Sequence, residues 1–378
     1  MSRFIIACGG TGGHLSPGIA LAEALVARGH TVTLFISHKK VDTRLVEKYP
    51  HLPAERVPSA PFGWRPDVHL RFHWKQTQGL LFSLRFMRAT RPDAIIGFGG
   101  FTNAGVVLAG RLRGIPVALH EANRVPGLAI RVLSRFAARL YLPPGVRLPG
   151  IRGVMVRHTG LPVRNEITRL PRDEARARLG LDPAQKLLVI LGGSQGSGNL
   201  NQWAEQNLAA LAHEGVQVYC VTGLGKGSEG VRELHGKSGQ AVRSTFVAFS
   251  DRVGVLMSAA DLVLSRAGAG TLAELVRCET PAVLMPYPHA ADNHQWVNAT
   301  YFEQQGGGVV VADHALAGLH QEVIDVIFND WLLNKFRLNL HRMSQENSID
   351  TIVHDLESLA SGTPPPGHLR PTPAASAP

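Results

Sequence analysis

The stretch Phe4-Ile5-Ile6-Ala7-Cys8-Gly9-Gly10-Thr11-Gly12-Gly13-His14 decides the fold class. Five apolar residues run without alternation, as in a parallel strand buried on both faces. A glycine-rich turn follows at once. The spacing then predicts a helix over residues 17–28, with Pro17 in its first turn and Gly29 just past its end. Further apolar runs at 31–36, 94–97 and 116–119 read as strands of the same sheet. Strand, turn and helix in repetition make the βαβ rhythm of a doubly wound α/β domain.

Moving outward, residues 142–156 break the rhythm with Pro143, Pro144, Gly145, Pro149, Gly150 and Gly153. It restarts at Leu187-Leu188-Val189-Ile190-Leu191, followed by Gly192-Gly193-Ser194-Gln195-Gly196. Strands are then expected at 216–221, 245–249, 261–265, 282–285 and 309–311. Each half opens with a buried strand and a glycine turn, and each has a second such turn, at 97–101 and at 266–270. The fold class is therefore α/β: two doubly wound, Rossmann-like domains facing across a cleft. Ligands of such sheets sit at the carboxyl ends of the strands, where these turns lie. The expected division is 1–162, 163–335, C-terminal helices over 336–360 packing back on the first domain, and a disordered Pro/Ala-rich tail over 361–378.

Composition narrows the partners. With 378 residues the chain can fill two cores, and 44% hydrophobic against 18% charged residues reads as globular. The formal charge of +10 favours an anionic partner. Basic residues are not interleaved with aromatics as on a nucleic-acid platform, so no nucleic acid is expected. Cys8, Cys220 and Cys278 are too few and too scattered for a disulfide framework or a structural zinc site, and a reducing cytosol fits. The first apolar run is too short for a signal peptide, and no run of roughly 18 apolar residues suggests a membrane span.

The glycine turns carry the chemistry. Gly9–His14 fails the G-x-G-x-x-G pattern because Leu15 stands where the third glycine belongs. Ser37-His38-Lys39-Lys40 offers no acid for a ribose, and no G-x-x-x-x-G-K-[ST] occurs, so NAD and P-loop chemistry are disfavoured. A glycine turn before a helix favours an anion, with a tight turn and no ligand as the alternative. At 192–197 the amides and Ser194 suit a diphosphate, and Asn201 is either a further contact or an N-cap. Over 265–274 a carboxylate, Glu274, enters the start of a helix, where it either grips a ribose diol or offsets the dipole. Asp292, His294, Gln295 and Asn298 crowd another helix start. His120-Glu121-Ala122-Asn123 is not H-E-x-x-H, so a hydrolytic zinc is not supported.

In this order, these motifs resemble the MurG family of peptidoglycan N-acetylglucosaminyltransferases, glycosyltransferase family 28, whose architecture is called GT-B. The resemblance runs from Ile5 to about Leu359 and includes Thr159–Arg164, Pro126-Gly127 and Asn298-Ala299. It implies transfer of N-acetylglucosamine from UDP-N-acetylglucosamine to lipid I, with inversion, to make lipid II. UDP-N-acetylglucosamine is then a substrate, and neither cofactor nor metal is implied. By the same resemblance Ser194 and Asn201 meet the diphosphate, Glu274 the ribose and Ser250 the uracil. Arg266, Ala269, Gly270 and Thr271 line the nucleotide site, Gln295 reads the sugar with His294 beside it, and Arg164 faces the donor from the interdomain junction. In the first domain Thr11, Gly12, Gly13 and Asn123 reach the donor. Gly13, His14, Gly100, Phe101, Thr102, Asn103 and Asn123 meet the acceptor. Ala122, Phe101, Asn103, Leu161 and Gly270 depart from the family's usual Gln, Tyr, Ser, Asn and a larger residue.

His14 is the candidate general base, since an imidazole titrates near neutrality; a phosphate contact is the alternative role. A lipid acceptor implies the anionic cytoplasmic face of the inner membrane as a partner, along with other cell-wall synthesis proteins. Trp64, Phe72, Trp74, Leu80, Leu81, Phe82, Leu84, Phe86 and Met87 lie among Arg71, Lys75, Arg85 and Arg88, which suits such a surface or, equally, a core helix. Rival readings are a UDP-N-acetylglucosamine 2-epimerase, a lipid glucosyltransferase, or a nucleotide-sugar-binding protein without catalysis.

Overall fold

The computed structural model describes residues 1–63, 65–193, 196–345 and 348–362. Its first half forms strands β1 (Arg3–Ala7), β2 (Thr31–Ile36), β3 (Ala54–Arg56), β4 (Ala94–Gly97), β5 (Val117–His120), β6 (Arg139–Leu142) and β7 (Met155–His158). Helices α1 (Gly12–Ala27), α2 (Lys40–Val46), α3 (Pro66–Thr90), α4 (Asn103–Leu112) and α5 (Leu128–Leu133) connect them. The second half forms β8 (Lys186–Leu191), β9 (Val216–Val221), β10 (Gly230–His235), β11 (Ala241–Val247), β12 (Leu262–Ser265), β13 (Ala282–Leu284) and β14 (Gly308–Val310). Its helices are α6 (Arg172–Leu179), α7 (Gly198–His213), α8 (Val253–Ala259), α9 (Ala269–Cys278), α10 (His294–Gln304), α11 (Leu316–Ile327), α12 (Asp330–Ser344) and α13 (Ser348–Ser361).

The two sheets run β3-β2-β1-β4-β5-β6-β7 and β10-β11-β9-β8-β12-β13-β14. Every described pairing is parallel except β10 with β11. Strand order reverses between β1 and β4 and again between β8 and β12. At each reversal two crossovers leave in opposite directions and open a crevice. The turns after β1 and β4 therefore lie side by side, as do those after β8 and β12.

The uninterrupted apolar runs are explained by two buried faces. Phe4, Ile6 and Cys8 enter one core with α1, while Ile5 and Ala7 enter another with Val106, Val107 and Met87. Leu188 and Ile190 likewise oppose Leu187, Val189 and Leu191. Period-two alternation sends successive side chains to opposite layers.

The structure departs from the sequence reading in three places. First, α1 begins at Gly12, five residues before Pro17. Thr11 is the extended N-cap, and His14 N and Leu15 N donate to its carbonyl at 3.0 and 3.1 Å. Pro17 thus lies inside the helix and His14 lies in its first turn. Second, β3, β6, β7 and β10 were not anticipated. Three of them have only three or four residues, and β10 is an exposed edge strand with little apolar content. Third, the C-terminal helices divide differently. Leu333, Phe336 and Leu340 of α12 pack into the second domain. Only α13 returns to the first, where Ile352, Val353, Leu356 and Leu359 join the core of β1 and α1. At roughly 1.5–3 kcal/mol per buried aliphatic side chain, four such residues contribute on the order of 6–12 kcal/mol as an upper estimate. The expected tail lies almost wholly outside the described residues.

Candidate active site

The first glycine turn is held rigidly from below. A Cβ at Gly9 would lie 2.2 Å from Ser37 N, so only glycine admits this approach to the end of β2. Gly10 N donates to Asp42 Oδ2 at 2.7 Å, and Lys39 Nζ donates to the Gly10 carbonyl at 2.7 Å. Asp42 is wholly buried and also accepts from Ser37 N and Ser37 Oγ. Neither Lys39 nor Asp42 was picked out by sequence, because their partners are main-chain groups distant along the chain.

The second turn packs against the first. Thr102 Oγ1 donates to the Gly9 carbonyl at 2.7 Å, and Asn103 Nδ2 donates to the Gly99 carbonyl. Both residues are buried: Thr102 fastens the two turns together, and Asn103 ties its own turn. Gly13 is exposed, while Thr11, Gly12, His14, Gly100 and Phe101 stay half-buried at the cleft. Lys39 Nζ stands 5.0 Å from the Phe101 ring centroid.

His14 is wedged under this junction. Thr11 Oγ1 lies 3.1 Å from its Nδ1, and a Cβ on Gly100 would come within 3.1 Å of the ring. Desolvation lowers its pKa from 6.5 to about 4; Asp42 opposes this, and Lys39 and His294 reinforce it. The ring is accordingly neutral at pH 7, with its basicity below that of a free imidazole.

A third element comes from the end of β5. Glu121 is buried, and its Oε1 accepts from Asn123 N (2.8 Å) and Asn123 Nδ2 (3.2 Å) while Oε2 accepts from Gly127 N (2.8 Å). It orients Asn123, whose Oδ1 accepts from Asn298 Nδ2 at 3.1 Å across the cleft. His120 is buried against Phe98, donates to or shares a proton with the Gly160 carbonyl at 3.2 Å, and is lowered by burial to about 4.

In the second domain Gly192 repeats the logic of Gly9, since a Cβ there would lie 2.3 Å from Ser197 N. Ser197 caps α7 by accepting from Leu200 N. Asn201 is therefore not the N-cap. It is buried, with Nδ2 donating to the Thr222 and Lys226 carbonyls at 2.8 and 3.1 Å, so it braces the neighbouring loop. Ser194 lies outside the described residues. Arg266 is also buried beneath the turn rather than lining it. Its guanidinium donates to Ser197 Oγ, the Met285 and Pro286 carbonyls and Asp313.

Ala269, Gly270, Thr271 and Glu274 occupy the first turns of α9 and are half-buried. Desolvation raises the Glu274 pKa, and Arg164, with Nη2 3.5 Å from Oε1, opposes that rise. Arg164 also pairs with Glu166 at 2.9 Å, and Tyr49 of the first domain donates to Glu166. Ser250, after β11, accepts from Arg252 N at 3.1 Å. His294 and Gln295 begin α10, where His294 Nδ1 meets the Ala291 carbonyl and Gln295 Oε1 accepts from Tyr287 N at 2.9 Å. The loop after β5 and the start of α10 thus meet through Asn123 and Asn298. Among the described residues no cluster of three or more potential metal ligands occurs.

Residues 4–142 match the glycosyltransferase family 28 N-terminal domain, and residues 187–352 match the family's C-terminal domain. A relative from Opitutus terrae is 60% identical over 96% of this chain and 98% of its own length. The chain belongs to glycosyltransferase family 28. That relative is named UDP-N-acetylglucosamine–N-acetylmuramyl-(pentapeptide) pyrophosphoryl-undecaprenol N-acetylglucosamine transferase. A relative from Thermus thermophilus with the same name is 38% identical over 93% of this chain and 98% of its own. The fold agrees with the family's two-domain architecture. The crystal structure of Acinetobacter baumannii MurG superposes with a TM-score of 0.71 at 24% identity, covering 94% of this chain and 99% of that one. The calicheamicin glycosyltransferase CalG4 follows at 0.65 and 14%, covering 96% and 99%.

Proposed function

We propose that the chain transfers N-acetylglucosamine from UDP-N-acetylglucosamine to the C4 hydroxyl of the N-acetylmuramyl unit of lipid I, making lipid II for peptidoglycan. The observation that carries this reading is the hydrogen bond across the cleft from Asn298 of α10, the helix bearing Gln295, to Asn123, with His294 close enough to His14 to bear on its charge. The names of the relatives from Opitutus and Thermus support the same donor and acceptor.

In this reading the second domain takes the donor. Glu274 accepts the ribose hydroxyls, with Arg164 keeping it ionised. Amides of Gly193, Gly196 and Ser197 and the N-terminus of α7 receive the diphosphate, which stabilises the leaving UDP. Gln295 and His294 meet the sugar. His14 takes the proton from the C4 hydroxyl as that oxygen attacks the anomeric carbon, and the C1–O bond to UDP breaks on the opposite face. One displacement of this kind inverts an α-linked donor to a β-linked product. Asn123, Gly100 and Phe101 meet the acceptor. The chemistry assigned here requires no cofactor or metal.

The lipid acceptor places the enzyme at the cytoplasmic face of the inner membrane as a peripheral protein. No helix of the described residues is long and apolar enough to cross a membrane. One face of α3 supports a surface role: Leu70, Trp74 and Leu81 are exposed beside Arg71, Arg85 and Arg88. Phe72, Leu80, Phe82, Leu84 and Phe86 are half-buried and Met87 is buried, so much of the predicted apolar run belongs to the core. Trp64 lies outside the described residues. The test is UDP release from UDP-N-acetylglucosamine with and without a short-chain lipid I analogue. Release that depends on the analogue supports the proposal. Release without it, or formation of a 2-epimer, contradicts it.

A further inference from the structure

The donor-side helix α10 is gripped by the opposite domain, and its entry is a left-handed turn. Asp292 and Asn293 precede it with φ of 50° and 52°, a conformation that Asp and Asn adopt more readily than other non-glycine residues. Three contacts from the first domain hold the helix and this entry. Arg131 of α5 pairs with Asp292. The main-chain N–H of Arg124 donates to Asn298 Oδ1 at 3.0 Å. The Arg124 guanidinium lies 3.4 Å over the Tyr301 ring and is itself anchored to the Pro144 carbonyl at 3.1 Å. Asn298 is buried and also bridges Asn123 to the Ala267 carbonyl. His294 and Gln295 sit between these anchors, one and two residues after the left-handed pair.

We propose that the acceptor domain completes the donor-sugar site, with Arg124 and Arg131 as positioning residues that hold α10 and its entry turn in the form that presents His294 and Gln295 to the sugar. This rests on the functional reading above. Neither arginine touches the donor in this account. The turns assigned to uridine and diphosphate belong to the second domain, and the clasp reaches them through Asn298, which donates to the Ala267 carbonyl and which neither arginine substitution removes. Parting of the domains therefore relaxes the entry turn and weakens the hold on the sugar while leaving the hold on UDP intact. An ion pair this exposed has a small effect alone, so the cation–aromatic stack and the main-chain bond must share the task.

The test compares binding of UDP and of UDP-N-acetylglucosamine to the full chain by calorimetry. Arg131→Gln and Asp292→Asn, which tolerates the same backbone, each weaken UDP-N-acetylglucosamine about three-fold. Arg124→Ala with Arg131→Gln weakens it about ten-fold. UDP affinity stays within two-fold of the unaltered chain, by about the same yardstick. Arg131→Gln combined with Asp292→Asn weakens UDP-N-acetylglucosamine no further than either change alone, since both remove the same pair. Unchanged binding of the sugar nucleotide, equal loss for both ligands, or additive losses at Arg131 and Asp292 overturns the inference. If the unaltered chain binds UDP-N-acetylglucosamine not at all, the functional reading itself fails.

Discussion

Replacing Glu121 with alanine tests whether the cross-cleft residue Asn123 is held by a buried carboxylate. Glu121 accepts three hydrogen bonds, two of them from the main-chain amides of Asn123 and Gly127. The side chain is 4% exposed, so water cannot replace it without opening the loop. An unsatisfied buried donor costs about 1–3 kcal/mol, and two give a loss of about 2–6 kcal/mol. For a domain of this size a loss of about 3 kcal/mol lowers the melting temperature by roughly 6–12 °C. Glutamine does not rescue fully, because its amide nitrogen faces a donor where the second oxygen stood. Activity falls as well, since Asn123 loses the contact that aims it at Asn298. Urea unfolding and steady-state transfer rates measured on the same preparations report both effects. A Glu121→Ala protein within about 0.5 kcal/mol of the original, in the range of an ordinary surface change, refutes the reasoning.

Other expectations follow from the same geometry. If His14 is the base, His14→Ala lowers kcat by about 10²–10⁴ with UDP-N-acetylglucosamine binding retained; a kcat within a few-fold of normal removes the assignment. The native His14 sits near 4 and its unfolded counterpart near 6.5. The base is then lost only as pH falls through about 4, so the acid limb of kcat/KM for the acceptor lies well below 6.5, and a limb at or above 6.5 contradicts the burial argument. The same sign holds for stability: the unfolded state binds more protons between those values, so His14 and His120 make the fold less stable as pH drops from 6.5 towards 4. Leu356→Ala, at a fully buried position of α13, destabilises by about 2–4 kcal/mol, and an effect under 1 kcal/mol by thermal melting means that α13 does not close the first core. Leu70→Ser with Trp74→Ser weakens sedimentation with anionic vesicles and leaves sugar-nucleotide affinity unchanged; full retention on vesicles assigns the membrane contact elsewhere.

Much of this architecture is legible in the sequence because its signals are local. An unbroken apolar run such as Ile5-Ile6-Ala7 has few folded uses besides a strand covered on both faces. Gly9 and Gly192 mark close approaches that any side chain would block. The doubling of that pattern placed two sheets and their turns. Part of what escaped was set by distance along the chain. Asp42 fastens Gly10 from α2 and looks like an ordinary surface acid in sequence, whereas Glu121 stands out in His120–Asn123 but not as the carboxylate that holds the amides of its own loop. Thr102, Asn103, Asn201 and Arg266 take ligand contacts from the family resemblance alone; that they also brace those turns is visible only in the fold. Arg124 and Arg131 gain meaning only once α10 of the other domain stands against them. The helix start misread at Pro17 has a similar origin: Gly12 and Gly13 have weak helical propensity, and the packing of α1 on β1 overrides it.

The most direct measurement follows the anomeric carbon of ¹³C-labelled UDP-N-acetylglucosamine by NMR during incubation with the enzyme and a lipid-linked N-acetylmuramyl-pentapeptide diphosphate. The account predicts that the α signal is replaced by a β-1,4-linked disaccharide signal, in step with free UDP, and only when acceptor is present. An α-linked product, free sugar, or a labelled nucleotide unchanged after addition of acceptor contradicts it.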